Sequence, residues 1–222
     1  MNQGNGLELL RSLPTNSVKL VFFDPQYEKA SKVSRAKDWP LSYQNATQIQ
    51  AFLKEISRVL KLSGFCLLWI NKALLISSQI LAWLRNIDCL KIVDLLIWAK
   101  PHFGFGSYFR NQAEFAFLIQ KHPPNSKLFK DRSFGNVYQE KQKMILLRVH
   151  PHEKPVALNK RLIEAVTEKG DLVVDPCAGG FGILRICLET GREFLGTDLN
   201  YFGIREFMVK AKKNNHRKKK AK

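Results

Sequence analysis

One alternation constrains the architecture of this chain more than any other feature. Short apolar runs of strand length recur at 18–23, 65–70, 91–99, 113–120, 172–175 and 193–198. Stretches with apolar residues at helical spacing lie around them, at 7–13, 47–61, 73–86, 155–169, 181–190 and 201–212. The clearest is 47–61, where Ile49, Phe52, Leu53, Ile56, Val59 and Leu60 share one face. Thr47 is placed to cap that helix and Ser63-Gly64 to stop it. Runs that are apolar throughout fit strands covered on both sides. The pattern predicts an α/β fold with a doubly wound, mostly parallel sheet and helices on both faces.

Two segments fall outside the alternation. Residues 28–45 are polar and mixed and read as a long loop. Residues 121–149 carry His122-Pro123-Pro124 and several lysines without a clear period, and read as an inserted loop region. Long loops beside sheet strands commonly carry function. A glycine- and aromatic-rich link covers 101–110.

Charge narrows the partners. Across 222 residues, 36 Lys and Arg face 19 Asp and Glu, a net charge of +17. Eight basic residues lie at Lys210 and beyond, so about half of the excess belongs to the body of the protein. Such a balance favours a polyanion, most often nucleic acid. Cys66, Cys89, Cys177 and Cys187 form no C-x-x-C pair and read as reduced thiols in a cytoplasmic protein. No apolar stretch reaches the length of a membrane span. His150 and His152 have no acid or cysteine at ligand spacing, so no metal is expected there.

Two strand ends carry chemistry. The run Val21-Phe22-Phe23 breaks at Asp24-Pro25-Gln26-Tyr27. A carboxylate leaving a buried strand of an open α/β sheet stands where ligands bind. The second site is Asp171-Leu172-Val173-Val174-Asp175-Pro176-Cys177-Ala178-Gly179-Gly180-Phe181-Gly182, a strand, a glycine-rich turn and a helix start. Glycines there let a ligand approach the backbone. The next strand ends in Asp198, placed for ribose hydroxyls. The turn is not a G-x-G-x-x-G pyrophosphate cradle, so a nucleoside ligand without phosphates, such as S-adenosylmethionine, fits better.

Read together, these segments resemble the β-class amino DNA methyltransferases, which modify adenine N6 or cytosine N4. Asp24-Pro25-Gln26-Tyr27 is similar to that family's Asp-Pro-Pro-Tyr motif. Gly4-Asn5, Leu9, Leu10, Leu13-Pro14 and Ser17-Val18 match its upstream segment. Trp98, Lys100, Gly106, Arg110 and Glu114 match the middle of the chain. His150-Pro151-His152-Glu153-Lys154-Pro155, Asp175-Pro176-Cys177-Ala178-Gly179-Gly180-Phe181 and the Gly191-Arg192, Gly196, Asp198 spacing complete the order. The resemblance spans nearly the whole chain. It departs at Gln26 for proline, Asn5 for an acid, Cys177 for phenylalanine, and Phe181 where the family has glycine.

The resemblance implies a Rossmann-like sheet in circularly permuted methyltransferase order. Residues 1–120 would form the catalytic half, 121–149 a small target-recognition insert, 150–212 the cofactor-binding half and 213–222 a basic tail. It implies transfer of a methyl group from S-adenosylmethionine to an exocyclic amine in DNA. Asp24 and the Pro25 carbonyl would accept hydrogen bonds from that amine, Gln26 would replace a rigid residue beside them, and Tyr27 would stack on a flipped base. Asn5, Asp24, His150, Lys154, Pro155, Asp175, Pro176, Cys177, Gly179, Gly180 and Asp198 would hold the cofactor. Lys100, Arg110, Lys127, Lys130 and Arg132 would meet DNA, with Phe129, Phe134 and Tyr138 as wedges or stacking platforms. An acid as first motif residue leans to adenine N6. A cytosine-N4 or RNA methyltransferase, and a nucleic-acid-binding homologue with weakened turnover, stay open as alternatives. A homodimer and a cognate restriction enzyme are the further partners to test.

Overall fold

The computed structural model describes residues 2–27, 44–106, 108–140 and 153–199. The expected helix at 201–212, the basic tail, His150, most of the 28–45 loop and positions 141–149 lie outside the described residues.

The described strands are β1 (Asn2–Gln3), β2 (Val18–Phe23), β3 (Leu60–Ile70), β4 (Leu90–Ala99), β5 (Ala113–Lys121), β6 (Val137–Gln139), β7 (Leu172–Asp175) and β8 (Glu193–Asp198). They form one sheet in the order β1-β8-β7-β2-β3-β5-β4-β6. β5 runs antiparallel to its neighbours β3 and β4. The other pairings are parallel. The helices are α1 (Gly6–Ser12), α2 (Ala46–Val59), α3 (Lys72–Ser77), α4 (Gln79–Arg85), α5 (Val156–Val166) and α6 (Gly182–Thr190). β7 comes late in the chain yet pairs with β2, which brings the two strand ends of interest side by side. This is the Rossmann-like, doubly wound arrangement the alternation predicts.

Side-chain alternation along β2 explains why both faces are covered. Val21 and Phe23 pack with Leu10 of α1 and Phe52, Leu53 and Ile56 of α2. Leu20 and Phe22 point the other way, into Leu158, Leu162 and Ile163 of α5 and Ile186 of α6. Each such buried side chain contributes about 1.5–3 kcal/mol. Arg58 of α2 ties the first two helices together, donating to the Leu10 and Leu13 carbonyls at 2.8 Å each.

Four elements differ from the sequence expectation. α2 is capped by Asn45, not Thr47, through a reciprocal capping box with Gln48. That helix ends at Val59 and the chain passes directly into β3, so Ser63-Gly64 lies inside a strand and not at a helix stop. The expected helix 73–86 is two helices, because Ser78 sits at φ 56°, left-handed backbone that breaks the ladder. The segment 121–149 is not all loop. It contains a 3-10 turn at Ser126–Leu128 and strand β6, which extends the sheet beside β4. Its Phe129, Phe134 and Tyr138 pack on the α5–α6 side of the core.

Candidate active site

Parallel strands place their carboxyl ends along one edge of the sheet, where an α/β fold opens a crevice. Asp24 follows β2, while Asp175 and Asp198 end β7 and β8. All three line one cleft with Asn5, Gln26, Lys154, Pro176, Cys177, Gly179 and Gly180. Gly179 donates its N–H to Asp198 Oδ2 at 2.9 Å, and Ala178 N–H bonds the Thr197 carbonyl at 3.0 Å, so the turn is clamped to β8. Gly6 lets α1 come close from the other side. A Cβ there would stand 2.0 Å from the Pro176 carbonyl oxygen. Asn5 spends its side-chain oxygen on the Leu7 N–H at 2.9 Å, capping α1 at the cleft wall.

The displaced glycine of the turn has a structural answer. Phe181 itself takes left-handed backbone, φ 54°, ahead of α6. Its ring is fully buried and meets Phe194 edge-on at 6.4 Å. Burial of the ring offsets the backbone strain of roughly 1–2 kcal/mol.

A chain of alternating charges runs out from Asp24. Lys154 donates to Asp24 Oδ2 at 2.6 Å and lies 3.4 Å from Glu114. Glu114 in turn pairs with Lys100. The two ammonium groups stand over indole rings, Lys154 over Trp69 at 5.0 Å and Lys100 over Trp98 at 4.7 Å. Burial alone would lower the Lys154 pKa, but the Asp24 and Glu114 carboxylates hold it up at about 12. Burial alone would raise the Glu114 pKa, and the two lysines overcome it and hold the carboxyl below its usual value.

Asp175 behaves in the opposite way. Burial, with further repulsion from Asp24 and Asp198, pushes it up to about 8, against a hydrogen bond from the Cys177 N–H. The Cys177 thiol is pushed up by burial and stays neutral; it receives Gln44 Nε2 at 3.4 Å. Two buried amide oxygens on the cleft wall, Gln44 Oε1 and Asn159 Oδ1, have no hydrogen-bond partner among the described residues. Buried acceptors without partners are costly, so both await a donor. A crowd of carboxylates with idle acceptors fits a ligand that brings positive charge and N–H or O–H groups. S-adenosylmethionine has a sulfonium, an ammonium and ribose hydroxyls.

The structure does not bring every expected residue to the cleft wall. Tyr27 is buried in the core, with its hydroxyl on the Trp69 carbonyl at 2.8 Å, and burial raises its pKa well above the usual value. Pro25 is buried beside it, and Pro155 caps α5. Lys100 follows the end of β4 and Arg110 precedes β5, on the edge of the sheet that holds Asp24, though neither lines the cleft. The expected DNA contacts Lys127, Lys130 and Arg132 lie elsewhere. They follow the far end of β5, whose Lys121 pairs with Leu90 at the start of β4 while Ala113 pairs with Ala99 at its end. Lys130 is held by Glu168 and by the Ala165 carbonyl near the end of α5, and Arg132 donates to the Ser126 carbonyl. Sequence reasoning missed Gln44, Trp69 and Asn159 as cleft residues. Asn159 alone left a trace, a polar residue on the otherwise apolar face of α5.

The chain matches the family model for DNA methylases, N6 and N4 methyltransferases, over residues 18–208. It is 36% identical to the type II methyltransferase M.HhaII of Haemophilus parahaemolyticus over 208 residues, 89% of this chain and 90% of that protein. It is 25% identical to the DNA adenine methyltransferase YhdJ of Escherichia coli, covering 89% and 77%. Among solved structures, the fold resembles the cytosine-N4-specific PvuII DNA methyltransferase, with a TM-score of 0.70 at 18% identity over 90% of this chain and 81% of that one. It also resembles M1.HpyAVI in complex with S-adenosylmethionine, with a TM-score of 0.66 at 17% identity over 95% and 96%. This chain therefore belongs to the N6/N4 DNA methylase family and is an S-adenosylmethionine-dependent DNA methyltransferase.

Proposed function

We propose that the enzyme methylates the exocyclic N6 of adenine in DNA. The observation that carries this reading is the Asp24–Lys154 pair lining the cleft, which holds an acid where the amine must be oriented. An exocyclic amine is a poor nucleophile, since its lone pair is delocalised into the ring. Two acceptors that take its hydrogens turn the lone pair towards the electrophile. Asp24 and the Pro25 carbonyl are assigned that work, and Asp24 also takes the proton, directly or through water. The cofactor supplies the methyl group as an electrophile on a sulfonium. Asp198 holds its ribose hydroxyls, and Asp175, Pro176, Cys177, Gly179 and Gly180 wall its site, with Asn5, Lys154 and Pro155 flanking. Gln44 and Asn159 are assigned its donors. Tyr27 braces the turn from behind, fixing the Trp69 carbonyl. Lys100 and Arg110 are assigned phosphate contacts, and the target base leaves the duplex to be reached.

The relatives named as type II methyltransferases support a cognate restriction endonuclease as a partner and the cytoplasm as the compartment. No helix among the described residues is long and apolar enough to cross a membrane. A homodimer is the further assembly to test by sedimentation. The decisive experiment treats bulk DNA with enzyme and cofactor, digests it to nucleosides and weighs them. N6-methyl-2′-deoxyadenosine is the expected product. N4-methyl-2′-deoxycytidine would replace this reading with the cytosine one. Cofactor binding by calorimetry without any methylated nucleoside would point to a binding homologue.

A further inference from the structure

The link between β4 and β5 carries an unexpected surface. Phe103 is 74% exposed, Phe105 62%, Tyr108 98% and Phe109 88%. Slack chain does not explain this. Gly104 N–H bonds the Asn111 carbonyl at 2.7 Å, the Asn111 amide donates to the Phe105 carbonyl, and Lys72 reaches Asn111 Oδ1 at 3.1 Å. At Gly106 a Cβ would stand 2.0 Å from the Phe109 carbonyl oxygen. Polar contacts hold the described backbone on both sides of the link, while the Phe103, Tyr108 and Phe109 side chains stay exposed. Contiguous apolar surface of this kind marks a binding site.

Topology says which site. β4 ends at Ala99 opposite Ala113 of β5, on the edge of the sheet that holds Asp24. Glu114, one residue further, reaches Lys154, which reaches Asp24. Arg110 and His102 are exposed beside the rings, on a protein of net charge +17. The aromatics of the 121–140 segment are not available for the same work. Phe134 and Tyr138 pack edge-on at 5.9 Å, and Arg161 covers Phe134 at 4.5 Å.

We propose that Tyr108, Phe109 and Arg110, at the end of this link, are the duplex-opening wedge of this enzyme. Tyr108 and Phe109 enter the base stack beside the target and occupy the gap left by the flipped base, and Arg110 meets the adjoining phosphate. This rests on the DNA methyltransferase reading above. Rings wedged between base steps offset the cost of unstacking, which falls away when the strand is already single.

The test uses the full-length enzyme, labelled cofactor, and one genomic DNA offered as duplex and as heat-denatured strands. Tyr108→Ala/Phe109→Ala is expected to lose at least about tenfold more kcat/KM on duplex than on denatured DNA. Phe109→Trp is expected to restore most of the duplex rate. Equal losses on both substrates, or none on either, would overturn the wedge. So would conversion of a wild-type dimer to a monomer with equal losses, which would make the patch a contact between copies. A wild type that methylates neither form would fail the parent reading itself and the wedge with it.

Discussion

Lys154 stands between two carboxylates, hydrogen-bonded to Asp24 at 2.6 Å and 3.4 Å from Glu114. The ammonium donates to Asp24 Oδ2 and fixes where that side chain stands. Asp24→Ala is expected to abolish transfer in a tritiated-methyl assay. Lys154→Met removes the ammonium from Asp24 and leaves Glu114 with Lys100 alone, and should lower kcat by about 100-fold, in the range of lost proton-transfer and orienting groups. Normal turnover of Asp24→Ala would remove it from the mechanism.

Gln26 is the family departure nearest the chemistry. Its carbonyl accepts the Gln44 N–H at 2.8 Å, and no bond from its own N–H is found among the described residues. Proline would keep the first and sacrifice nothing in the second. Gln26→Pro is therefore expected to keep or raise kcat, and a tenfold loss in the same assay would show that the Gln26 amide itself is needed.

Asp175 makes stability and cofactor affinity depend on pH. Its carboxyl is raised to about 8 in the folded protein from 3.8, so between those values the fold holds one proton more than the unfolded chain. Stability from this group is full below the lower value and is lost as pH rises towards the upper one. Melting curves from pH 5 to pH 8 should fall for the wild type relative to Asp175→Asn, across the window set by Asp175. A cationic ligand favours the ionised carboxyl, so S-adenosylmethionine should bind more tightly as pH rises through the same window, with proton release visible by calorimetry in two buffers. Parallel melting curves for both proteins would contradict the shift.

Asn159 should show a trade between stability and binding. Its buried Oδ1 has no hydrogen-bond partner among the described residues. Asn159→Leu removes that unsatisfied acceptor and should stabilise the fold by about 1–3 kcal/mol. The same change should weaken cofactor binding about tenfold, the worth of roughly one hydrogen bond. A variant that is more stable and binds cofactor normally would make the residue purely structural.

Much of the fold was legible in the chain because periodicity is local. The bounds of β2, β7 and β8 agree with the apolar runs at 18–23, 172–175 and 193–198. The acids at the ends of those runs were legible too, because a carboxylate that breaks an apolar strand has few uses other than a ligand or a turn. Helix and strand limits were less legible where one residue decides. Ser78 breaks a helix whose apolar pattern continues through it, and Asn45 outcompetes Thr47 for a cap because Gln48 can reciprocate.

The order of motifs, the two acid-ended strands and the basic excess were set by the sequence alone, since each rests on residue type and spacing. Which residues share a wall was decided only by the sheet. Reversal of β5 carries Lys127 and Lys130 to the far edge, brings Glu114 to Lys154, and puts the aromatic β4–β5 link on the edge of the sheet that holds Asp24. Strand direction depends on pairing between segments distant in the chain, and no local pattern records it.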